Sequence, residues 1–332
     1  MEVRDVPAPT PDDDDVVISV QATGICGSDL HIFEDAIQIP IRVPVIIGHE
    51  FSGLVAEVGS HVESFTVGDR VTAMPSVRIC GRCRYCRSGS FNLCVNRESM
   101  GYFHDGSFAP RCRLPQRCIW PLPDEVSVRA AALTEPAACA VHAVSERTRV
   151  RAGDVAVIVG PGTIGLLCLQ VALSEGAIAV VVGTSHDSAR CRLAVELGAT
   201  RVIDDEDENA AAVVREMTGG YGADVVFECS GTSAAAALAL NLVRKEGSYT
   251  QVGLFSHPIQ VDLEQVAVKE LTFTGSFGQR VSSWRRALSL MASGHLNTEV
   301  LVTHEVALSD WEKGFDLFRR RGGIKILLDV NS

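Results

Sequence analysis

The 332-residue sequence predicts an α/β protein in two parts, a mostly β domain and a doubly wound parallel sheet inserted into it. Three observations predict this. Up to about residue 150 the chain reads as short strands broken by turns, with little helical periodicity. From about residue 153, apolar strands alternate with helices of about ten or more residues, the pattern of βαβ units. Beyond about residue 275 the alternation stops, and the remaining pieces are expected to return to the first domain. The expected division is 1–145, 146–275 and 276–332.

In chain order, FSGLVAEVG and VGDRV read as two strands joined by a polar turn, with glycines as punctuation. VAVIVG is a buried strand, TIGLLCLQVALSEG a helix, AIAVVVG a strand and SARCRLAVELG a helix ending at glycine. RVID, AAAVVREMTG, ADVVFECSG, AAAALALNLVR and GSYTQVGL continue the alternation. The tail adds the helices SSWRRALSLMASG and LSDWEKGFDLFRR and closes on the apolar strand IKILLDV. There is no internal repeat, and the acidic run Asp12 to Asp15 reads as a solvated turn.

A formal charge of −11 argues against nucleic acid as a partner, because phosphate binding needs a concentrated cationic surface. The start, MEVRDVPAPTPDDDD, lacks the basic and apolar regions of a signal peptide. Apolar runs such as VAVIVGPGTIGLL are too short or too broken to span a bilayer. The expectation is a soluble cytoplasmic protein with no membrane partner.

VGPGTIGL carries Gly160, Gly162 and Gly165 between a strand and a helix. Gly160 permits a tight turn, Gly162 lets the backbone approach a pyrophosphate, and Gly165 lets helix and strand pack closely. The pyrophosphate would sit at the helix N-terminus. The expected cofactor contacts here are Gly160, Gly162, Thr163, Ile164 and Gly165, with Val252 and Gly253 after a later strand. About twenty positions on, where an acidic residue would grip a ribose 2′-hydroxyl, stand Gly183, Thr184 and Ser185. Asp187 nearby reads as a helix cap. With no carboxylate to repel a 2′-phosphate and His186 and Arg190 close by, the cofactor is NAD or NADP, with NADP slightly favoured.

Eleven cysteines raise the question of disulfides, but four lie within CGRCRYCRSGSFNLC. Cys80, Cys83, Cys86 and Cys94 have the spacing C-x2-C-x2-C-x7-C, which suits a closed tetrahedral zinc site in the loop 80–94. Gly81 and Gly89 let the chain fold back, and Arg82, Arg84 and Arg87 offset the thiolate charge. The βαβ setting of a redox C-x-x-C is absent, and an iron–sulfur cluster is the minor alternative. Such a site stabilises a loop and leaves no position open for chemistry.

A second set is separated along the chain: CGSDLH from Cys26 to His31, GHE from Gly48 to Glu50, and Glu135 followed by Pro136. A cysteine, a histidine and a carboxylate from distant segments can hold zinc with one position open. Singly, each has a plainer reading as a buried hydrophobe, a core histidine or a helix N-terminal charge.

Together with the four-cysteine loop and the glycine turn, these segments resemble the zinc-dependent medium-chain dehydrogenase/reductase family, in its sorbitol and threonine dehydrogenase branch. The matching motifs are ATGICGSDLH, IIGHEFSG, VGDRV, TEPAACAVHA and GPGTIG. The resemblance implies a GroES-like catalytic domain, a Rossmann cofactor domain and a homotetramer or homodimer. It implies two zinc ions per chain, one structural and one catalytic on Cys26, His49 and Glu135. Glu50 matches a neighbouring carboxylate able to exchange at the metal, Ser28 the hydroxyl that takes the substrate proton, and His31 its relay. It also implies an opening strand ahead of EVRDVPAPTP. Phe277 is followed by Gly278 and Gln279, with Arg280 further on, and Ile32 stands where tyrosine is usual in that branch. These departures leave a secondary alcohol of a polyol, cyclitol or sugar alcohol as the expected substrate, rather than sorbitol itself. The alternatives are a threonine- or butanediol-type dehydrogenase and, remotely, a zinc-loop binding module.

Overall fold

A computed structural model describes residues 1–37 and 39–332. In chain order the strands are β1 (Asp15–Gly24), β2 (Glu50–Val58), β3 (Arg70–Ala73), β4 (Arg111–Pro115) and β5 (Ile119–Pro121). There follow β6 (Val155–Val159), β7 (Ile178–Gly183), β8 (Arg201–Asp204), β9 (Ala223–Glu228), β10 (Val243–Gln251) and β11 (Thr272–Gly275). The last are β12 (Val302–Ala307) and β13 (Lys325–Asp329).

The chain forms two compact units, one of residues 1–138 with 279–332 and one of residues 139–278. The first division falls before residue 145 for a local reason. The helical segment His142–Thr148 is tied to the parallel sheet, with Thr148 Oγ1 2.7 Å from Thr250 Oγ1 and Arg147 Nε donating to the Gly275 carbonyl at 2.9 Å.

In the first unit the strand order is β12-β13-β1-β2-β3-β5, with β4 also on β1. β1 is long enough to hold two partners along one edge. Its opening residues Asp15 to Ser19 pair with β4, and Thr23 and Gly24 pair with Leu328 and Leu327 of β13. Val16, Ile18 and Val20 pack with Phe51, Val55, Val71 and Leu114 in one core. Ile25, Phe108, Phe315, Ile326 and Leu328 form a second core beneath the segment that carries Cys26. Each such fully buried side chain contributes about 1.5–3 kcal/mol relative to exposure.

In the second unit the order is β11-β10-β9-β6-β7-β8, and every neighbouring pair is parallel. All five residues of β6, VAVIV, are buried, as a strand covered on both faces requires. The helix Thr163–Ser174 that follows is apolar nearly all round and buried from Gly165 to Ala172. Chain order reverses between β6 and β9, which opens a crevice at the carboxyl ends of those strands. Among the described residues no helix is long and apolar enough to cross a membrane.

Candidate active site

Four cysteine sulfurs meet in the loop 80–94. Cys80, Cys83, Cys86 and Cys94 all lie within 4.8 Å of one another, and none is in a disulfide. Cys80 and Cys86 are 3.9 Å apart and Cys83 and Cys86 3.6 Å. A tetrahedral zinc with bonds of about 2.3 Å to sulfur needs edges of about 3.8 Å, so the donor set fits that ion. Backbone amides point at the sulfurs: Cys83 N at Cys80 Sγ, 3.3 Å, and Cys86 N at Cys83 Sγ, 3.5 Å. The Cys86 amide is the main reason the Cys83 thiol falls to about 6, whereas burial, then Cys94, lifts Cys86 to about 12. Arg82, Arg84 and Arg87 are exposed around the loop.

The second donor group is built on the edges of β1 and β2. β1 ends at Gly24, and Cys26 then precedes the helix Gly27–Phe33. Asp29, in the first turn, accepts the Cys26 amide on Oδ2 at 2.9 Å and is fully buried. Its other oxygen faces His49 Nδ1 at 3.5 Å. Burial opposes a charge on His49, but Asp29 and then Cys26 outweigh it and hold the imidazole well above its ordinary value. A carboxylate behind one ring nitrogen aims the other, the arrangement that orients metal-binding histidines.

Glu50 opens β2 beside His49 and is 1% exposed. Its Oε2 lies 2.5 Å from Lys325 Nζ, and Lys325 also donates to the Ile25 carbonyl at 2.9 Å. Burial would pull the Lys325 ammonium down, yet Glu50 and then Cys26 hold it above the usual lysine value.

Among the described residues, the three-donor group within 4.8 Å is Cys26, His49 and Glu50. Glu135, expected as the carboxylate of this set, is the second residue of the helix Thr134–Val141, partly exposed and outside that group. The observed trio of soft sulfur, imidazole and carboxylate suits zinc, and three protein donors leave a fourth position open. Ser28 and His31 lie on the helix that starts at Cys26, both half-buried. The Tyr102 phenol lies beside Ser28, and its ring centroid is 5.8 Å from that of His49. Asp29, Tyr102 and Lys325 escaped the sequence reading. Asp29 alone had a signal, its place inside CGSDLH.

In the second unit, Gly160 has φ +97°, and a Cβ there would lie 2.8 Å from Ser230 Cβ. A Cβ on Gly165 would lie 2.0 Å from the Gly160 carbonyl oxygen, whereas one on Gly162 would meet nothing within 4 Å. Gly162 precedes the helix Thr163–Ser174, so open space faces the free amides of a twelve-residue helix. That cradle fits a pyrophosphate. Thr163 and Ile164 open the helix beside it. Val252 and Gly253 are fastened to the Glu228 carbonyl, both at 2.9 Å. The buried Glu228 carboxylate accepts Ser230 N at 2.8 Å, Ser230 Oγ at 2.7 Å and Gly231 N at 2.9 Å. It thereby shapes the loop that faces Gly160, and no motif pointed to it. At the end of β7, Ser185 is hydrogen-bonded to Glu206, and Arg190 is paired with Asp187 at 3.2 Å. The positive charge expected from Arg190 is therefore already neutralised.

Comparison with known proteins decides the family. The description "Alcohol dehydrogenase GroES-like domain" matches residues 12–124, and "Zinc-binding dehydrogenase" matches residues 163–293. The sorbitol dehydrogenase of Halalkalibacterium halodurans is 44% identical over 327 residues, 98% of this chain and 94% of that one. The chain belongs to the zinc-dependent alcohol dehydrogenase family. The D-arabitol-phosphate dehydrogenase of Enterococcus avium is 39% identical to this zinc dehydrogenase over 332 residues, 100% of this chain and 94% of that one. Among solved structures, a protein described as a zinc-binding dehydrogenase of Sinorhizobium meliloti 1021, bound to NADP, superposes with a TM-score of 0.89 at 31% identity. That superposition covers 98% of this chain and 95% of the other. The two units accordingly are a GroES-like domain and a Rossmann domain, and the chain is an NAD(P)-dependent zinc alcohol dehydrogenase.

Proposed function

We propose that this dehydrogenase oxidises a secondary alcohol of a polyol, cyclitol or sugar alcohol to the ketone. The products are the carbonyl compound, reduced nicotinamide and one proton. The observation that carries the reading is the three-donor set Cys26, His49 and Glu50, which leaves a coordination position for a substrate hydroxyl. When bound, zinc supplies Lewis acidity and the nicotinamide ring supplies the hydride acceptor. The chain's own residues do the rest. Cys26 and His49 hold the metal with a carboxylate, Glu50 by proximity and Glu135 by resemblance. Ser28, beside Tyr102, receives the hydroxyl proton and passes its own on, and His31 carries it onward. Cys80, Cys83, Cys86 and Cys94 hold the structural ion. Gly160, Gly162, Thr163, Ile164, Gly165, Val252 and Gly253 cradle the dinucleotide, with Thr184, Ser185 and Arg190 near its ribose. Residues 1–138 and 279–332 then supply the metal chemistry, and residues 139–278 bind the cofactor.

The test follows nicotinamide absorbance with polyols, cyclitols, threonine and 2,3-butanediol, with NAD or NADP. Turnover with the polyols or cyclitols supports the proposal. Turnover with threonine or butanediol alone would move the substrate class, and none at all, with zinc bound, would refute it.

A cytoplasmic homo-oligomer, a tetramer or a dimer, completes the proposal. Its support is the apolar surface around β11, an edge strand, where Leu254, Leu263, Val268 and Phe273 are 44–66% exposed. Sedimentation as a monomer would refute it.

A further inference from the structure

β7 ends at the place where an adenosine ribose is read, and neither Gly183, Thr184 nor Ser185 there is acidic. The structure brings a carboxylate from the next strand. β8 lies parallel to β7 with Gly183 opposite Asp204, and the Asp205 amide extends the ladder by donating to the Gly183 carbonyl at 3.0 Å. The chain then turns, with the Glu206 amide on Asp204 Oδ1 at 3.1 Å. That turn lays the Glu206 side chain across the end of β7. Its Oε2 accepts the Ser185 amide at 3.2 Å and the Ser185 hydroxyl as well. These two bonds hold the Glu206 carboxyl below the usual carboxylate range.

Two cations lie near: His186, which follows Ser185 and helps hold the Glu206 carboxyl down, and Arg190, which is taken. Arg190 Nη1 is 3.2 Å from Asp187 Oδ1, and Thr184 Oγ1 donates to Asp187 Oδ2 at 3.1 Å. On the β8 side, Arg201 is paired with Glu208. A dianionic 2′-phosphate at Ser185 would meet the Glu206 charge at contact distance, where screening by salt is weak. A 2′-hydroxyl can instead donate to that carboxylate and accept from Ser185.

We infer that Glu206 selects the cofactor: it accepts a hydrogen bond from the ribose 2′-hydroxyl and repels a 2′-phosphate, so the chain uses NAD. The inference rests on the dinucleotide reading of the Gly160–Gly165 turn. It replaces the NADP preference that the residues at the end of β7 suggest on their own.

Titration of the purified full-length protein with NADH and NADPH, followed by nicotinamide fluorescence or calorimetry, tests it without any alcohol present. The unaltered protein should bind NADH tighter than NADPH by about tenfold or more. Glu206→Gln, which removes the charge and keeps the shape, should shrink that ratio mainly by gaining NADPH affinity, and Glu206→Arg should invert it. Unaltered protein that binds NADPH as tightly as NADH would overturn the inference, as would a ratio unmoved in both variants. Binding of neither nucleotide would overturn the dinucleotide reading itself and the inference with it, so the two failures are distinct.

Discussion

Lys325 and Glu50 form an ion pair sealed from solvent, with both residues no more than 2% exposed, and their atoms come from strands 275 residues apart in sequence. The pair stands directly behind Cys26, because the same ammonium holds the Ile25 carbonyl. In the metal-free protein, Lys325→Met leaves Glu50 as a buried, uncompensated charge and should cost about 3–5 kcal/mol of stability. Adding Glu50→Gln to Lys325→Met should recover much of that loss. Denaturant unfolding of the unaltered protein and the two variants checks this, and a double variant no more stable than Lys325→Met alone would contradict it.

Cys26→Ala should lower turnover by about a thousandfold or more and remove one of the two metal equivalents. The four-cysteine loop should keep its own. Metal analysis after dialysis is the readout, and full metal content with retained turnover would defeat the assignment.

The carboxylate of the catalytic set is open to the same measurement. Glu50 is within 4.8 Å of Cys26 and His49, and Glu135 is not part of that group. Glu50→Gln should therefore weaken metal retention more than Glu135→Gln. The reverse order would show that Glu135 is the resident ligand and that Glu50 serves only Lys325.

Zinc uptake by the loop should release protons in a pH-dependent way. Metal binding requires thiolates. With Cys83 near 6, that sulfur is already ionised at pH 8 and mostly protonated at pH 5, while Cys86, near 12, carries its proton at both. More protons should therefore leave at pH 5 than at pH 8, and affinity should fall as the medium is acidified through about 6. Calorimetry of the metal-free protein in buffers of different ionisation enthalpy counts them. Equal release at both pH values would contradict the Cys83 assignment.

The three glycines of the nucleotide turn should behave differently. Gly160→Ala forces a side chain into the left-handed region, about 1–2 kcal/mol, and against Ser230. Gly165→Ala drives a methyl into the Gly160 carbonyl. Both should destabilise the protein. Gly162→Ala meets open space, so it should fold normally and lose only nucleotide affinity. Thermal unfolding beside a nucleotide titration separates the cases, and a Gly162→Ala variant as unstable as Gly160→Ala would refute the cradle.

The parallel sheet was legible because strands such as VAVIV, covered on both faces, are short unbroken apolar runs between helices. The four-cysteine loop was legible because its ligands are neighbours in sequence. Other features depend on pairing that sequence spacing does not carry. Glu206 reaches Ser185 only because β8 lies in register with β7, so a search along β7 alone ends on Gly183 and misses it. Glu50 and Glu135 each sit in a matching motif, and which carboxylate lies within 4.8 Å of Cys26 and His49 depends on the fold. Lys325 lies in IKILLDV, where its partner hundreds of residues earlier has no local trace.

The placement of β13 has a consequence for how the molecule is made. Residues 139–278 are continuous, so the cofactor unit can fold as soon as it leaves the ribosome. The catalytic sheet cannot. Gly24 and Ile25, which set the position of Cys26, take their partners from Leu327 and Ile326, and Lys325 reaches back 300 residues to the Ile25 carbonyl. The metal pocket is therefore begun at Gly24 and Ile25 and completed only when a strand 300 residues further on has been made. A nascent chain arrested before that strand would carry a finished nucleotide fold beside an unfinished, thiol-bearing edge.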